Sequence, residues 1–162
     1  MSNAAIGIVL LIISGACIAA PFKDIPRPIA GPSSLAALAS ESELTDEAAY
    51  AKYDKRKLRD VYSRYVLGER KGLDLKQLNE IYDLVLAATA VETPASLCML
   101  EPRHYFEYTS EYGKVEVLMC FECGEAIINV NNWNTHMSLG RTFQAKLNAI
   151  LKKHGVPKPI VK

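Results

Sequence analysis

Apolar and polar positions follow two different periods along the chain, and the change falls near residue 95. Before it, Tyr50, Tyr53, Leu58, Val61, Tyr62 and Tyr65 recur at helical spacing. Thr45 is a good N-cap for them, and Asp46 and Glu47 place negative charge at the positive end of a helix dipole, so the pattern predicts a helix over 46–67. Asp74, followed three residues later by Gln77, has the form of a capping box, and Leu75, Leu78, Ile81, Tyr82, Val85 and Ala88 make one apolar stripe, which predicts a second helix over 75–90. The short linker 68–72 makes the two an antiparallel hairpin. Past Ala95 the period is two. The runs 97–100, 104–109, 115–121 and 126–130, separated by Pro102, Gly113 and Gly124, predict a small antiparallel meander. A polar loop then leads to a last helix with Phe143, Leu147, Ile150 and Leu151 on one face, stopped by Lys152, Lys153, His154 and Gly155. The expected fold is α+β: an N-terminal helical hairpin, a small antiparallel β-meander and a C-terminal helix.

The first 22 residues carry no charged side chain, and residues 4–20 are almost continuously apolar. Seventeen residues is short for a membrane span, which needs about 20, and the run ends in small residues of the type a signal peptidase accepts. Residues 1–20 therefore read as a signal peptide or an N-terminal membrane anchor. Ser14-Gly15-Ala16-Cys17 is like a bacterial lipobox, which makes Cys17 a lipidation candidate. Four prolines between residues 21 and 34 suggest an extended tether over 21–40, followed by a single α+β domain over 41–156 and a tail over 157–162. The expected location is exported, periplasmic or in the cell envelope, with the membrane as a partner through the N-terminal segment.

Charge narrows the partners. Nineteen basic and 18 acidic residues leave a net charge of +1, so no global field steers the chain toward nucleic acid. The basic stretch at 55–59 is flanked by Asp54 and Asp60 and reads as a solvated face, and no nucleic-acid partner is expected.

The sharpest chemical feature is Cys120-Phe121-Glu122-Cys123-Gly124, a pair of thiols separated by two residues ahead of a turn. Cys98 and His104 are the candidates for the other half of a site. A five-residue loop over 110–114 would pair Thr109 with Val115 and set His104 directly across from Cys120 on one face. Cys98 would approach from an adjoining strand, and a shared metal then requires a bulge at 101–103, while a one-residue slip turns His104 away. The residues allow zinc held by Cys98, His104, Cys120 and Cys123, a structural disulfide with a spare thiol, a redox-active Cys120/Cys123 pair, or inert buried thiols. A redox pair usually sits at a helix N-terminus, whereas 124–126 leads into a strand.

The run from Cys98 through Pro102-Arg103-His104, with Gly113-Lys114 and Cys120-Phe121-Glu122-Cys123, resembles a group of small bacterial exported, lipoprotein-like proteins with a Cys…Pro-Arg-His…Cys-Phe-X-Cys core. The resemblance covers about residues 96–151. It implies an exported domain built around these four side chains and carries no activity with it.

No phosphate-binding glycine loop, His-Glu-X-X-His motif or nucleophile turn occurs, which leans away from an enzyme. Trp133, among asparagines, is a candidate binding-surface residue. The reading is an exported, membrane-tethered accessory or binding domain with a structural Cys/His cluster, zinc as its candidate cofactor and a protein partner of unknown kind. The alternatives are a periplasmic thiol-disulfide redox or metal-handling protein using Cys120 and Cys123, and a protein-protein inhibitor or immunity factor.

Overall fold

The computed structural model describes residues 24–45, 50–90, 99–131 and 133–159. Its centre is a curled, seven-stranded antiparallel sheet. In chain order the elements are β1 (Ser34–Ala39), α1 (Glu41–Leu44), β2 (Asp60–Val61), β3 (Arg64–Gly72), α2 (Leu75–Thr89), β4 (His104–Ser110), β5 (Gly113–Cys120), β6 (Glu125–Val130), β7 (Trp133–Ser138) and α3 (Gln144–Lys153). Across the sheet the strands run β2-β3-β1-β4-β5-β6-β7. Strands β3 and β4 both pair antiparallel with β1, so they run parallel to each other and need the crossover that α2 supplies.

The helical hairpin expected at the N-terminus does not form. Residues 64–72 are a strand, 55–57 are a single 3-10 turn capped by the Asp54 side chain, and Tyr62-Ser63 is a turn. The helical spacing of the tyrosines arises from side chains that serve different elements: Tyr50 and Tyr53 contact each other at 6.2 Å between ring centroids, while Val61 and Val66 pack under the sheet. The second helix of that hairpin is present as α2, with the Asp74/Gln77 capping box closed in both directions.

The segment expected to be a tether also departs from expectation, because it contains β1. All six side chains of Ser-Leu-Ala-Ala-Leu-Ala are buried. A central strand covered on both faces has no apolar-polar alternation to read, and small alanines let the layers close on it. Residues 24–33 dock as well. Tyr82 Oη donates to the Ile25 carbonyl at 2.9 Å, Tyr108 Oη to the Pro26 carbonyl at 2.7 Å, and Ile29 N–H to the Thr109 carbonyl at 2.9 Å. Prolines without N–H groups are held here through carbonyl acceptors. The candidate signal or anchor segment over 1–20, with Cys17, lies outside the described residues, as does Cys98. Among the described residues no helix is long and apolar enough to cross a membrane.

Both longer helices cover the same face of the sheet. Leu78, Ile81, Tyr82, Val85 and Ala88 of α2 and Leu147 and Leu151 of α3 pack on Leu35, Ala37, Phe106, Tyr108, Val115, Val117, Met119, Ala126 and Ile128. The opposite face carries a smaller apolar cluster of Ala36, Leu38, Val61, Val66, Tyr105 and Leu118. That face is only partly covered, and its rows follow from the register. One row reads Ala36, Tyr105, Leu118, Ile127, His136, and the next Ser34, Glu107, Glu116, Asn129, Asn134.

Candidate functional site

His104 and Cys120 do not meet. His104 is paired with Met119, one position away from the register that would set it across from Cys120. The cause is the β4–β5 turn. Ser110 pairs with Gly113 around Glu111 and Tyr112, so the connection is shorter than the five-residue loop expected. Gly113 takes φ 103°, and a Cβ there would lie 2.7 Å from the Asn131 side chain, so the turn is specific for glycine. A one-residue slip exchanges the faces of a whole strand.

His104 therefore faces the helices, fully buried, with Nε2 2.9 Å from Asn148 Oδ1 and its ring edge-on to Phe121. Its Nδ1 has no hydrogen-bond partner among the described residues. Burial pulls its pKa down to about 4, against the Asn148 hydrogen bond and with help from the Arg103 charge, so the ring is neutral.

Cys120 faces the other way, buried and with a free thiol. Burial pushes its pKa up and the Glu122 carboxylate adds to this, against the Cys123 and Glu101 backbone N–H groups and the Arg103 charge. Cys123 is in a disulfide whose partner lies outside the described residues, and its Sγ rests 3.3 Å from the Met99 carbonyl oxygen. Of the candidate metal set of Cys98, His104, Cys120 and Cys123, the three described members do not share a site: His104 and Cys120 face opposite layers and Cys123 has no thiolate to give, while Cys98 lies outside the described residues. Among the described residues no group of three or more His, Cys, Asp or Glu side chains is placed to hold a metal.

The Pro-Arg-His run has its structural centre at Arg103 instead. Its guanidinium is buried and pairs with buried Glu43 of α1, with Glu122 at 3.4 Å and Glu101 at 3.7 Å. One side chain ties together α1, the approach to β4 and the turn carrying Cys123. In the sequence Arg103 stands in the motif with no partner to mark its role. An arginine between a proline and a strand of buried aromatics was the available signal.

The open face of the sheet holds a cleft of about 350 Å³. Leu100, Pro102, Leu118 and Ile127 give it an apolar floor, and Tyr62, Ser63, Arg64, Asn129, Asn134 and His136 give it polar walls. The size and the mixture of linings are those of small-molecule sites, which run from about 300 to 1,000 Å³. One wall is the β2–β3 turn. Val61 pairs with Arg64, so the connection has two residues, and both take positive φ: 51° at Tyr62 and 59° at Ser63. Turns of this shape favour Asn-Gly, and a non-glycine residue there costs on the order of 1–2 kcal/mol. Backbone strain of this kind collects at ligand sites.

The strained turn is held by a hydroxyl-carboxylate network. Tyr62 Oη donates to Glu116 Oε2 at 2.6 Å, Lys114 Nζ donates to Glu116 Oε1 at 2.7 Å, and Tyr105 Oη reaches both Glu116 and Glu107. Burial alone would raise the Glu116 pKa, but the hydrogen bonds from Lys114, Tyr105 and Tyr62 outweigh it and hold the carboxyl below its ordinary value. The Tyr62 hydroxyl is correspondingly pushed up, by burial first and then by the Glu116 hydrogen bond.

Trp133 is not part of this site. It lies in β7 opposite Val130, half-buried on the helix-covered side, whereas its neighbour Asn134 lines the cleft. No protein-family model, curated protein or solved structure matches the chain.

Proposed function

We propose that the protein is an exported accessory domain, tethered to a membrane by its N-terminal segment, that binds a ligand on the open face of its sheet. The observation that carries the reading is the cleft walled by the strained Tyr62-Ser63 turn. A sheet with helices on one face and a shaped, mixed apolar and polar hollow on the other presents a recognition surface. The disulfide at Cys123 supports an oxidising compartment, as does the uncharged apolar run over 4–20 and the resemblance to small exported proteins. Redox chemistry at Cys120 and Cys123 has less support, because one thiol is buried and hard to ionise and the other sulfur is already paired elsewhere.

A screen of small fragments of mixed chemistry, followed by amide chemical-shift changes on the full chain, tests the binding reading. Shifts should cluster at residues 62–64, 118, 127, 129 and 134. Shifts confined to the helix-covered face, or none at all, would overturn it. Intact-mass measurement of the membrane fraction tests export: the mature chain is expected to begin at or shortly after Cys17, and a chain beginning at Met1 would make the segment an anchor.

A further inference from the structure

The charges around the cleft are not evenly matched, and the imbalance identifies a class of ligand. Glu116 is answered by Lys114 and two tyrosine hydroxyls, and Glu125, beside the cleft, shares a hydrogen bond with His136. Arg64 is different. It is half-buried in the wall, and no carboxylate pairs with it among the described residues. Among the described residues its guanidinium makes one hydrogen bond, a long one from Nη2 to the Leu100 carbonyl at 3.4 Å, which leaves most of its five N–H donors without an acceptor there. Asn129, which also lines the cleft, has a buried Nδ2 with no acceptor among the described residues. An unanswered donor of this kind costs about 1–3 kcal/mol until an oxygen reaches it.

Resting on the reading of the open face as a binding surface, we propose that the cleft takes a small carboxylic acid with an apolar body, its carboxylate on Arg64 and its hydrocarbon on Leu118 and Ile127. A planar guanidinium matches a carboxylate through two parallel hydrogen bonds, which a hydroxyl or an ammonium cannot reproduce. The strained turn has a place in this arrangement. Arg64 is the first residue of β3 after Tyr62-Ser63, so the turn that costs backbone energy is the one that sets the guanidinium at the wall.

Three probes with one body and different heads test the proposal on the full chain: 4-phenylbutyrate, 4-phenylbutanol and 4-phenylbutylamine, titrated by NMR. The acid should bind at least about tenfold more tightly than the alcohol, with the amine weakest. Arg64→Gln should bring the acid down to the affinity of the alcohol and leave the alcohol unchanged. Arg64→Lys, which keeps the charge and loses the fork, should fall between. Ile127→Ser should weaken all three alike, and unchanged thermal midpoints establish that the variants are folded. Equal binding of acid and alcohol, or an acid preference that survives Arg64→Gln, overturns the proposal. If none of the three binds while mixed fragments still shift residues of the cleft, the carboxylate class falls and the binding surface stands. If the fragments fail too, both fall.

Discussion

Tyr62 and Glu116, 54 positions apart in the chain, meet at 2.6 Å through the phenol hydroxyl and a carboxylate oxygen, and this contact pins a two-residue turn in a conformation its residues disfavour. The turn tip, the network row and the cleft wall are therefore one mechanical unit. Removing the hydroxyl with Tyr62→Phe should destabilise the protein by about 1 kcal/mol at neutral pH, toward the low end for a charged acceptor because Tyr62 is half exposed. Glu116 has its folded pKa below the ordinary 4.5, so its stabilising contribution is present above that value and is lost as pH falls through the folded one. Urea unfolding of both proteins at pH 7 and pH 3 checks this: the gap should narrow at pH 3, and an undiminished gap would show that the carboxylate is not what the hydroxyl secures.

Ser63 offers the complementary change. At φ 59° a glycine escapes the steric cost that serine bears, so Ser63→Gly should stabilise the fold by up to about 1 kcal/mol, with the extra backbone freedom of the unfolded glycine offsetting part of the gain. If the turn orients Arg64 for a ligand, the same variant should bind phenylbutyrate less tightly although it is more stable. Thermal melting and the NMR titration, on one sample, separate the two effects.

His104 makes the protein sensitive to acid in a particular window. Its folded pKa is near 4 against 6.5 unfolded, so as pH falls below about 6.5 the unfolded chain takes up a proton that the folded chain refuses. Stability should drop by up to about 3 kcal/mol between pH 7 and pH 4 from this group alone. His104→Gln keeps a side-chain amide within reach of Asn148 and does not titrate, so its stability should be flatter over that interval. Guanidinium unfolding at several pH values decides the matter, and a variant as acid-sensitive as the parent would assign the effect elsewhere.

The two described cysteines should behave differently toward reagents. Cys120 is buried with a raised pKa, and Cys123 is already paired. Iodoacetamide at pH 8 should leave both unmodified in the native protein, label Cys120 once the chain is unfolded, and reach Cys123 only after reduction. Peptide mass spectrometry reads each site. Labelling of Cys120 in the native state would reopen a reactive role for that thiol.

What the sequence disclosed, and what it hid, has a common physical basis. Helix α2 was legible because its signals are local: a cap, its reciprocal partner three residues on and a stripe one face wide. The two central strands β4 and β5 alternate well enough to be placed, yet their register depends on a single turn, and the tighter turn at Glu111-Tyr112 sets His104 on the opposite layer. Strand β1 was hidden by burial on both faces, which erases alternation, and by alanines that favour helix in isolation. Strand β7 looks like a loop in the sequence because Trp133, Asn134, Thr135 and His136 show a solvated edge, not a hydrophobic run. The cleft could not be read at all, since Arg64, Leu118 and Asn129 are brought together only by the inserted position of β1 and the curl of the sheet.

The buried pair of Arg103 and Glu43 allows the strictest test of the architecture around the cleft. Their side chains are each 9% exposed, and Arg103 also faces Glu101 and Glu122. Deleting one partner of a buried pair leaves an uncompensated charge, which costs about 3–5 kcal/mol, whereas replacing both by apolar groups of similar volume is often close to neutral. Glu43→Leu should be the milder single change, because Glu101 and Glu122 still answer the guanidinium, and Arg103→Met the more severe, because it strands Glu43. The double variant Glu43→Leu with Arg103→Met should recover most of the loss. Urea unfolding of the four proteins gives the coupling between the two positions directly. Additive losses, with no recovery in the double variant, would mean that Glu43 and Arg103 act separately, and α1 would then not be anchored to the approach to β4 through this contact.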